Sequence, residues 1–178
     1  GLPDLAGDAR AEYAGRHTLL VGSGYSAATN LVALAGIAAE TPDTRITWLT
    51  RRSGTTPITL IDDDPLAERK SLTATANDLA TRSDGPVDCL PGHSVTALTP
   101  ADDDDGFEVT VRSLSDGTER TFPVDRIIAN VGFRPDRSIY EELQVHECYA
   151  SQGPMRLAAK LLGETSADCL VQPTPDAD

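Results

Sequence analysis

Missing from this 178-residue sequence are the short motifs that most directly announce chemistry. No Cys-x-x-Cys occurs, and Cys89, Cys148 and Cys169 are far apart and odd in number. That argues against a zinc site or a redox dithiol and fits reduced thiols in a cytosolic protein. There is no P-loop, and none of the four tyrosines begins the Tyr-x-x-x-Lys of short-chain dehydrogenases. His17, His93 and His146 each lack a local nucleophile or metal partner. Positive charge is scarce: 15 Lys and Arg stand against 28 Asp and Glu, a formal net charge of −13, so a nucleic-acid footprint is not expected. Apolar segments are too short for a membrane span, and no signal peptide opens the chain, so no membrane and a cytoplasmic location are expected. The carboxylate runs at residues 62–64 and 102–105 lack calcium-loop spacing. They read as a helix start and a solvated turn.

What is present is one patterned stretch. An apolar run, Leu19-Leu20-Val21, meets Gly22, and the order Gly22-Ser23-Gly24-Tyr25-Ser26-Ala27 follows. This is the Gly-x-Gly-x-x-Gly/Ala fingerprint: a tight turn at Gly22, room for a ligand at Gly24, and a small residue, Ala27, for close helix–strand packing. A helix beginning there presents its free N–H groups to a pyrophosphate. Ser26 is read either as a hydroxyl for the phosphate site or as a helix cap.

The flanking pattern supplies the context the fingerprint needs. Residues 1–16 read as a leading linker, and the abrupt start leads one to expect an excised or processed piece. A helix is expected from Tyr25 to about Glu40, with Leu31, Leu34, Ala35 and Ala38 on one face, stopped at Thr41-Pro42. Residues 45–50 form a second strand, completing a βαβ unit. A second helix starts with Asp64 as N-cap and Pro65 in its first turn. Residues 87–90 make a short third strand.

Texture then changes. Residues 94–98, 107–112 and 119–124 alternate apolar with polar, as antiparallel strands do, with Asp116-Gly117 marking a hairpin. Residues 126–132 are apolar on both faces, as in a buried parallel strand. The expected fold is therefore α/β: a Rossmann-like three-layer domain over residues 17–137, with a parallel sheet and a three-stranded antiparallel meander as a crossover. Residues 138–178 form a C-terminal extension with one helix, opened by Gly153-Pro154 and closed by Gly163, with Leu157, Leu161 and Leu162 as its apolar positions. Pro173-Thr174-Pro175 lies in an extended tail.

In an NAD site the end of the second strand carries a carboxylate for the ribose 2′-hydroxyl. Here Thr50, Arg51 and Arg52 occupy that place. Guanidinium groups hold a 2′-phosphate through paired charge-assisted hydrogen bonds, which favours NADPH over NADH. A solvated strand end is the plain alternative for the arginine pair. An S-adenosylmethionine-dependent methyltransferase shares the strand–glycine–helix start, but usually wants an acid where the arginines stand.

In combination these features resemble the NAD(P)H-binding domain of two-dinucleotide-fold flavoproteins, including thioredoxin-reductase-like pyridine nucleotide oxidoreductases and flavin-dependent monooxygenases. The carriers are Gly22 to Ala27, similar to Gly-x-Gly-x-Ser-Ala; Thr50-Arg51-Arg52, similar to the basic strand end of NADPH-dependent members; and Val131-Gly132-Phe133-Arg134-Pro135-Asp136, similar to Thr-Gly-(Tyr/Phe)-x-Pro-Asp. The likeness covers about residues 10–137. It implies NADPH binding through Gly22, Ser23, Gly24, Tyr25, Ser26, Ala27, Arg51, Arg52 and Gly132, with no catalytic residue in the chain itself. It also implies an FAD held by another part of the parent protein, so that the partner is a missing FAD-binding domain and the isolated domain is inactive.

The departures are as definite. No FAD fingerprint or C-terminal Gly-Asp segment occurs, Asn130-Val131 replaces the usual Ala-Thr, and the disulfide reductases' Cys-x-x-Cys is missing. A nucleotide-sensing regulatory module without redox activity is the alternative reading.

Overall fold

Alternation of side chains along a strand decides how this chain is layered. In a computed structural model, the structure describes residues 3–54, 56–101, 105–133, 136, 138, 142–143, 145–147 and 153–162. Strand β1 (His17–Val21) turns Leu19 to one side and Leu20 to the other, and both are fully buried. It pairs in parallel with β2 (Arg45–Thr50), which pairs with β3 (Val87–Pro91), giving the order β3-β2-β1-β7, where β7 is Arg126–Ala129. Each strand must bury two faces, and two different layers cover them.

Helices cover the first face. The one-turn helix α1 (Arg10–Tyr13), α2 (Tyr25–Glu40) and α3 (Ala67–Thr81) are sited there, where Leu20, Ile46, Trp48 and Ile128 cluster with Leu31, Leu34, Ile37 and Ala76. Leu5 and Tyr13, in the expected linker, are buried in that cluster. Helix α2 has the expected limits, with Leu31 and Leu34 fully buried, while Ala35 and Ala38 are half-buried. Helix α3 starts later than expected. Its N-cap is Leu66, two residues on; Asp64 keeps the bond a cap would make, its carboxylate accepting from the Leu66 N–H at 2.9 Å just ahead of the helix, and also binds Arg69.

The second face carries the meander. Strands β4 (His93–Pro100), β5 (Phe107–Ser113) and β6 (Glu119–Val124) form an antiparallel sheet in that order. Val109, Val111 and Val124 pack on Leu19, Leu49 and Leu90, with Phe107 and Phe122 at the edge of the cluster. Gly117, at φ +75°, closes the β5–β6 hairpin. Thr118 donates its N–H and hydroxyl to Asp116 there, and these bonds, with one from Ser113, hold the Asp116 carboxyl down at about 2. The parallel sheet, the two long helices that cover it and the meander crossover are thus as the sequence pattern implied, whereas α1 lies within the expected linker and β7 ends at Ala129 instead of residue 132.

The chain divides into two compact units, Gly1–Gly132 and Phe133–Asp178. In the second, Asp136 accepts two bonds from Ser138, Glu147 bridges Pro154, and α4 (Met155–Leu162) follows. Arg134, Pro135, Cys148, Gly163, Cys169, the 102–104 turn and Pro173-Thr174-Pro175 lie outside the described residues, as do the side chains of Leu157, Leu161 and Leu162. No helix among the described residues is long and apolar enough to cross a membrane.

Candidate functional site

Parallel pairing brings the carboxyl ends of β1, β2 and β7 to one edge of the sheet, so the segments after each strand share that edge. Gly22 follows β1, Arg51 and Arg52 follow β2, and Asn130 and Gly132 follow β7. The connection from β1 leads to β2 on one side, while β7 lies on the other. In open α/β sheets such a change of direction marks the place beyond the strand ends where ligands bind.

Gly22 turns the chain at φ +128°, a conformation side chains rarely adopt. A Cβ there would stand 2.2 Å from the Asn130 carbonyl oxygen. The turn is held from three sides. Its N–H donates to the Leu49 carbonyl at 3.0 Å, and its carbonyl accepts from the Trp48 indole at 2.8 Å. On the third side Asn130 donates its N–H to the Val21 carbonyl at 2.7 Å and accepts from the Asn30 amide at 3.0 Å.

Gly24 is the N-cap of α2, and a Cβ there would meet nothing within 4 Å. Glycine at this place keeps open space in front of the helix. No side chain caps α2, so the first-turn N–H groups of Tyr25, Ser26 and Ala27 face the open edge with the positive end of the helix dipole. Ser26 lies inside the first turn and is exposed, so it is not the N-cap, and Ser23 is half-buried in the turn. Ala27 is fully buried, in the close packing expected of the third fingerprint position.

Arg51 and Arg52 are both exposed. The Arg52 carbonyl accepts from the Thr50 hydroxyl at 3.1 Å and the Gly92 N–H at 2.9 Å, and its guanidinium donates to the Thr59 hydroxyl. Gly132 has φ +93° and is exposed, beside Val131 at 74% exposure.

Sequence reasoning missed several contributors. Arg69 lies 5.6 Å over the Tyr25 ring and binds Asp64 through two 2.7 Å bonds. Arg69 in turn holds the Asp64 carboxyl below the ordinary carboxylate range. A groove of about 490 Å³ runs along Tyr25, Leu66, Arg69 and Leu72. Trp48, Asn30 and Asn130 brace the turn; the signals in the sequence were a polar Asn30 within the apolar stripe of α2 and Asn130 where the resemblance leads one to expect alanine.

Two clefts of about 550 and 460 Å³ lie at the opposite, amino-terminal edge, around His17 and Arg45. His17 there spans the layers, with Nδ1 3.1 Å from the Pro123 carbonyl and Nε2 2.9 Å from the Thr47 hydroxyl. His93 Nδ1 lies 2.7 Å from the Pro91 carbonyl. Burial raises the Cys89 thiol to about 11, so it is not a thiolate at neutral pH. No cluster of metal-ligating side chains occurs among the described residues.

No family model and no curated protein sequence matches the chain. Solved structures do. Thioredoxin reductase from Streptococcus pyogenes aligns at TM-score 0.53 and 16% identity, covering 82% of this chain and 39% of its own. A cadaverine monooxygenase from Erwinia amylovora, solved with FAD, aligns at TM-score 0.58 and 15% identity, over 80% and 42%. An ornithine N-hydroxylase from Kutzneria sp. 744, solved with reduced FAD, NADP+ and L-ornithine, aligns at 0.55 and 15%, over 76% and 41%. This chain spans about two fifths of the length of these proteins, and its fold is one that thioredoxin reductases and flavin monooxygenases contain.

Proposed function

We propose that this chain is the NADPH-binding unit of an FAD-dependent oxidoreductase, whose FAD is held by another part of the parent protein. One observation carries the reading: an exposed arginine pair follows β2 on the same sheet edge as α2, a helix with no side-chain cap behind Gly22 and Gly24. The residues fit the cofactor. Gly24 leaves the space in front of α2 open, so the N–H groups of Tyr25, Ser26 and Ala27 would hold the pyrophosphate, with Ser23 beside them. Arg51 and Arg52 would hold the 2′-phosphate, for which a carboxylate at this strand end would be repulsive.

Gly132 would let the chain pass close to the cofactor's other half. When bound, NADPH supplies a hydride, and the flavin that accepts it would sit in the absent partner domain. The chain's own part is binding, orientation and discrimination. The solved proteins of the same fold, two of them with FAD and one also with NADP+, support the assignment. A cytoplasmic location fits the reduced-thiol reading of the cysteines.

Calorimetric titration of the isolated chain with NADPH and NADH tests it. NADPH should bind more tightly, without being oxidised. Equal or tighter NADH binding would sink the specificity, and no binding of either would sink the function. Binding accompanied by no electron transfer to any flavin domain supplied by the parent protein would favour the sensing module instead.

A further inference from the structure

Between β2 and α3 the described residues of 51–66 form no regular element, yet the segment is fixed at two points. The first is Arg52, whose carbonyl takes the Thr50 hydroxyl and the Gly92 N–H. Gly92, at φ +68°, packs against Ser53, where an added Cβ would lie 3.3 Å from the Ser53 Cβ. The second is Ile58. Asn77, buried on α3, accepts the Ile58 N–H at 3.1 Å and donates to the Ile58 carbonyl at 2.8 Å. One side-chain amide thus satisfies both main-chain groups of a residue, as a neighbouring strand would. Ile58 itself is 3% exposed and joins the helix-side core with Trp48 and Ala76.

Next to the second anchor stands Thr59, one residue beyond the staple, and its hydroxyl accepts from Arg52 Nη1 at 2.5 Å. Arg52 spends that donor on Thr59, and its side chain makes no other hydrogen bond among the described residues. A guanidinium has several further N–H groups in a planar fork, which remain available to an anion. Arg51, beside it, has no side-chain hydrogen bond among the described residues. One arginine is aimed and its neighbour is left adaptable.

We propose that Thr59 and Asn77 are specificity-determining positioning residues: Asn77 fixes Ile58, Ile58 fixes Thr59, and Thr59 aims the Arg52 guanidinium at the cofactor's 2′-phosphate. The inference rests on the NADPH-binding reading and adds the part that sets discrimination. Aiming Arg52 in advance removes ordering that binding would otherwise have to impose. The gain falls only on a ligand that carries the phosphate.

The experiment compares the wild type with Thr59→Val, Asn77→Asp and Arg52→Ala, using NADPH and NADH as probes in calorimetry. Thr59 is exposed, so Thr59→Val removes the acceptor without disturbing the core. The expected result is a loss of NADPH preference of about 3- to 10-fold in Thr59→Val and Asn77→Asp, with NADH affinity held within about 2-fold. In the Arg52→Ala background, Thr59→Val should add nothing. A merely structural role would weaken both cofactors together, and that result overturns the proposal, as does an unchanged preference where Arg52→Ala lowers it.

Hydrogen exchange of the Arg52 Nη–H groups, followed by low-temperature NMR without cofactor, tests the Nη1–Thr59 contact independently. It should quicken in Thr59→Val, and no change would overturn the aiming of Arg52 whatever the cofactor data show. Failure of the wild type to prefer NADPH, with quickened exchange in Thr59→Val, would refute the cofactor reading while leaving the contact intact.

Discussion

Trp48 donates its indole N–H to the carbonyl of Gly22 at 2.8 Å, so the second strand holds the turn that follows the first. Trp48 is fully buried, and the carbonyl it satisfies belongs to the residue whose geometry the nucleotide fingerprint demands. Trp48→Phe keeps most of the packing and removes the donor. It should cost about 1–3 kcal/mol through the unpaired carbonyl, and should weaken nucleotide binding beyond what the stability loss explains. Urea denaturation followed by circular dichroism checks the first expectation, and unchanged stability would rule out the brace.

The two fingerprint glycines should fail in opposite ways. Gly22→Ala places a Cβ 2.2 Å from the Asn130 oxygen in a backbone with φ +128°, so the fold itself should be damaged, by more than about 2 kcal/mol. Gly24→Ala meets no protein atom within 4 Å, so melting should shift little while NADPH binding falls. Thermal melts and titration of both variants test this. Normal binding by Gly24→Ala would show that the open space is not ligand space.

Arg51→Ala and Arg52→Ala should each weaken NADPH by about 1–3 kcal/mol and leave NADH nearly unchanged, since only NADPH carries the phosphate. Titration of both variants with both cofactors checks it. Parallel loss for the two would place the arginines elsewhere in the cofactor's path.

Stability should fall on mild acidification because of His17. Burial, reinforced by the positive Arg45, holds its imidazole below the ordinary 6.5. The folded state therefore favours the neutral ring, while the unfolded chain protonates at the ordinary value. The stabilising contribution is complete above about 6.5 and is lost as pH falls through the lowered folded value. The shifted carboxyls of Asp64, Asp105 and Asp136 lie below their ordinary 3.8, so their contributions persist through this window. Melting temperature should drop from about pH 7.5 to about 5.5, and His17→Gln should flatten the curve. An equal slope in the variant would move the cause to another group.

Local pattern made much of this legible. The limits of α2 and β2, the meander and its hairpin depend on alternation, turn glycines and a proline, all of which act over a few residues. The start of α3 is placed too early by sequence because Asp64 has the chemistry of a cap. Its carboxylate takes the Leu66 N–H ahead of the helix and also holds Arg69, which in turn covers Tyr25, and no spacing rule foresees that second contact. Residue type leaves Ser26 between cap and ligand, and the structure shows that Gly24 is the cap. The Asn30–Asn130 bond joins residues 100 positions apart, and Asn77 reaches Ile58 across 19.

The sequence by itself determined the pattern on which the proposed site rests: glycines where a strand must turn into a helix, and arginines in place of a carboxylate. Those are properties of residue type, and charge and a missing side chain act wherever the backbone carries them. Tertiary structure alone decided how the site is held. Parallel pairing put the ends of β1, β2 and β7 on one edge, and that brought Trp48 under Gly22 and Gly92 beside Arg52. Hydrogen bonds require partners within about 3 Å, and only the folded chain brings such distant residues that close.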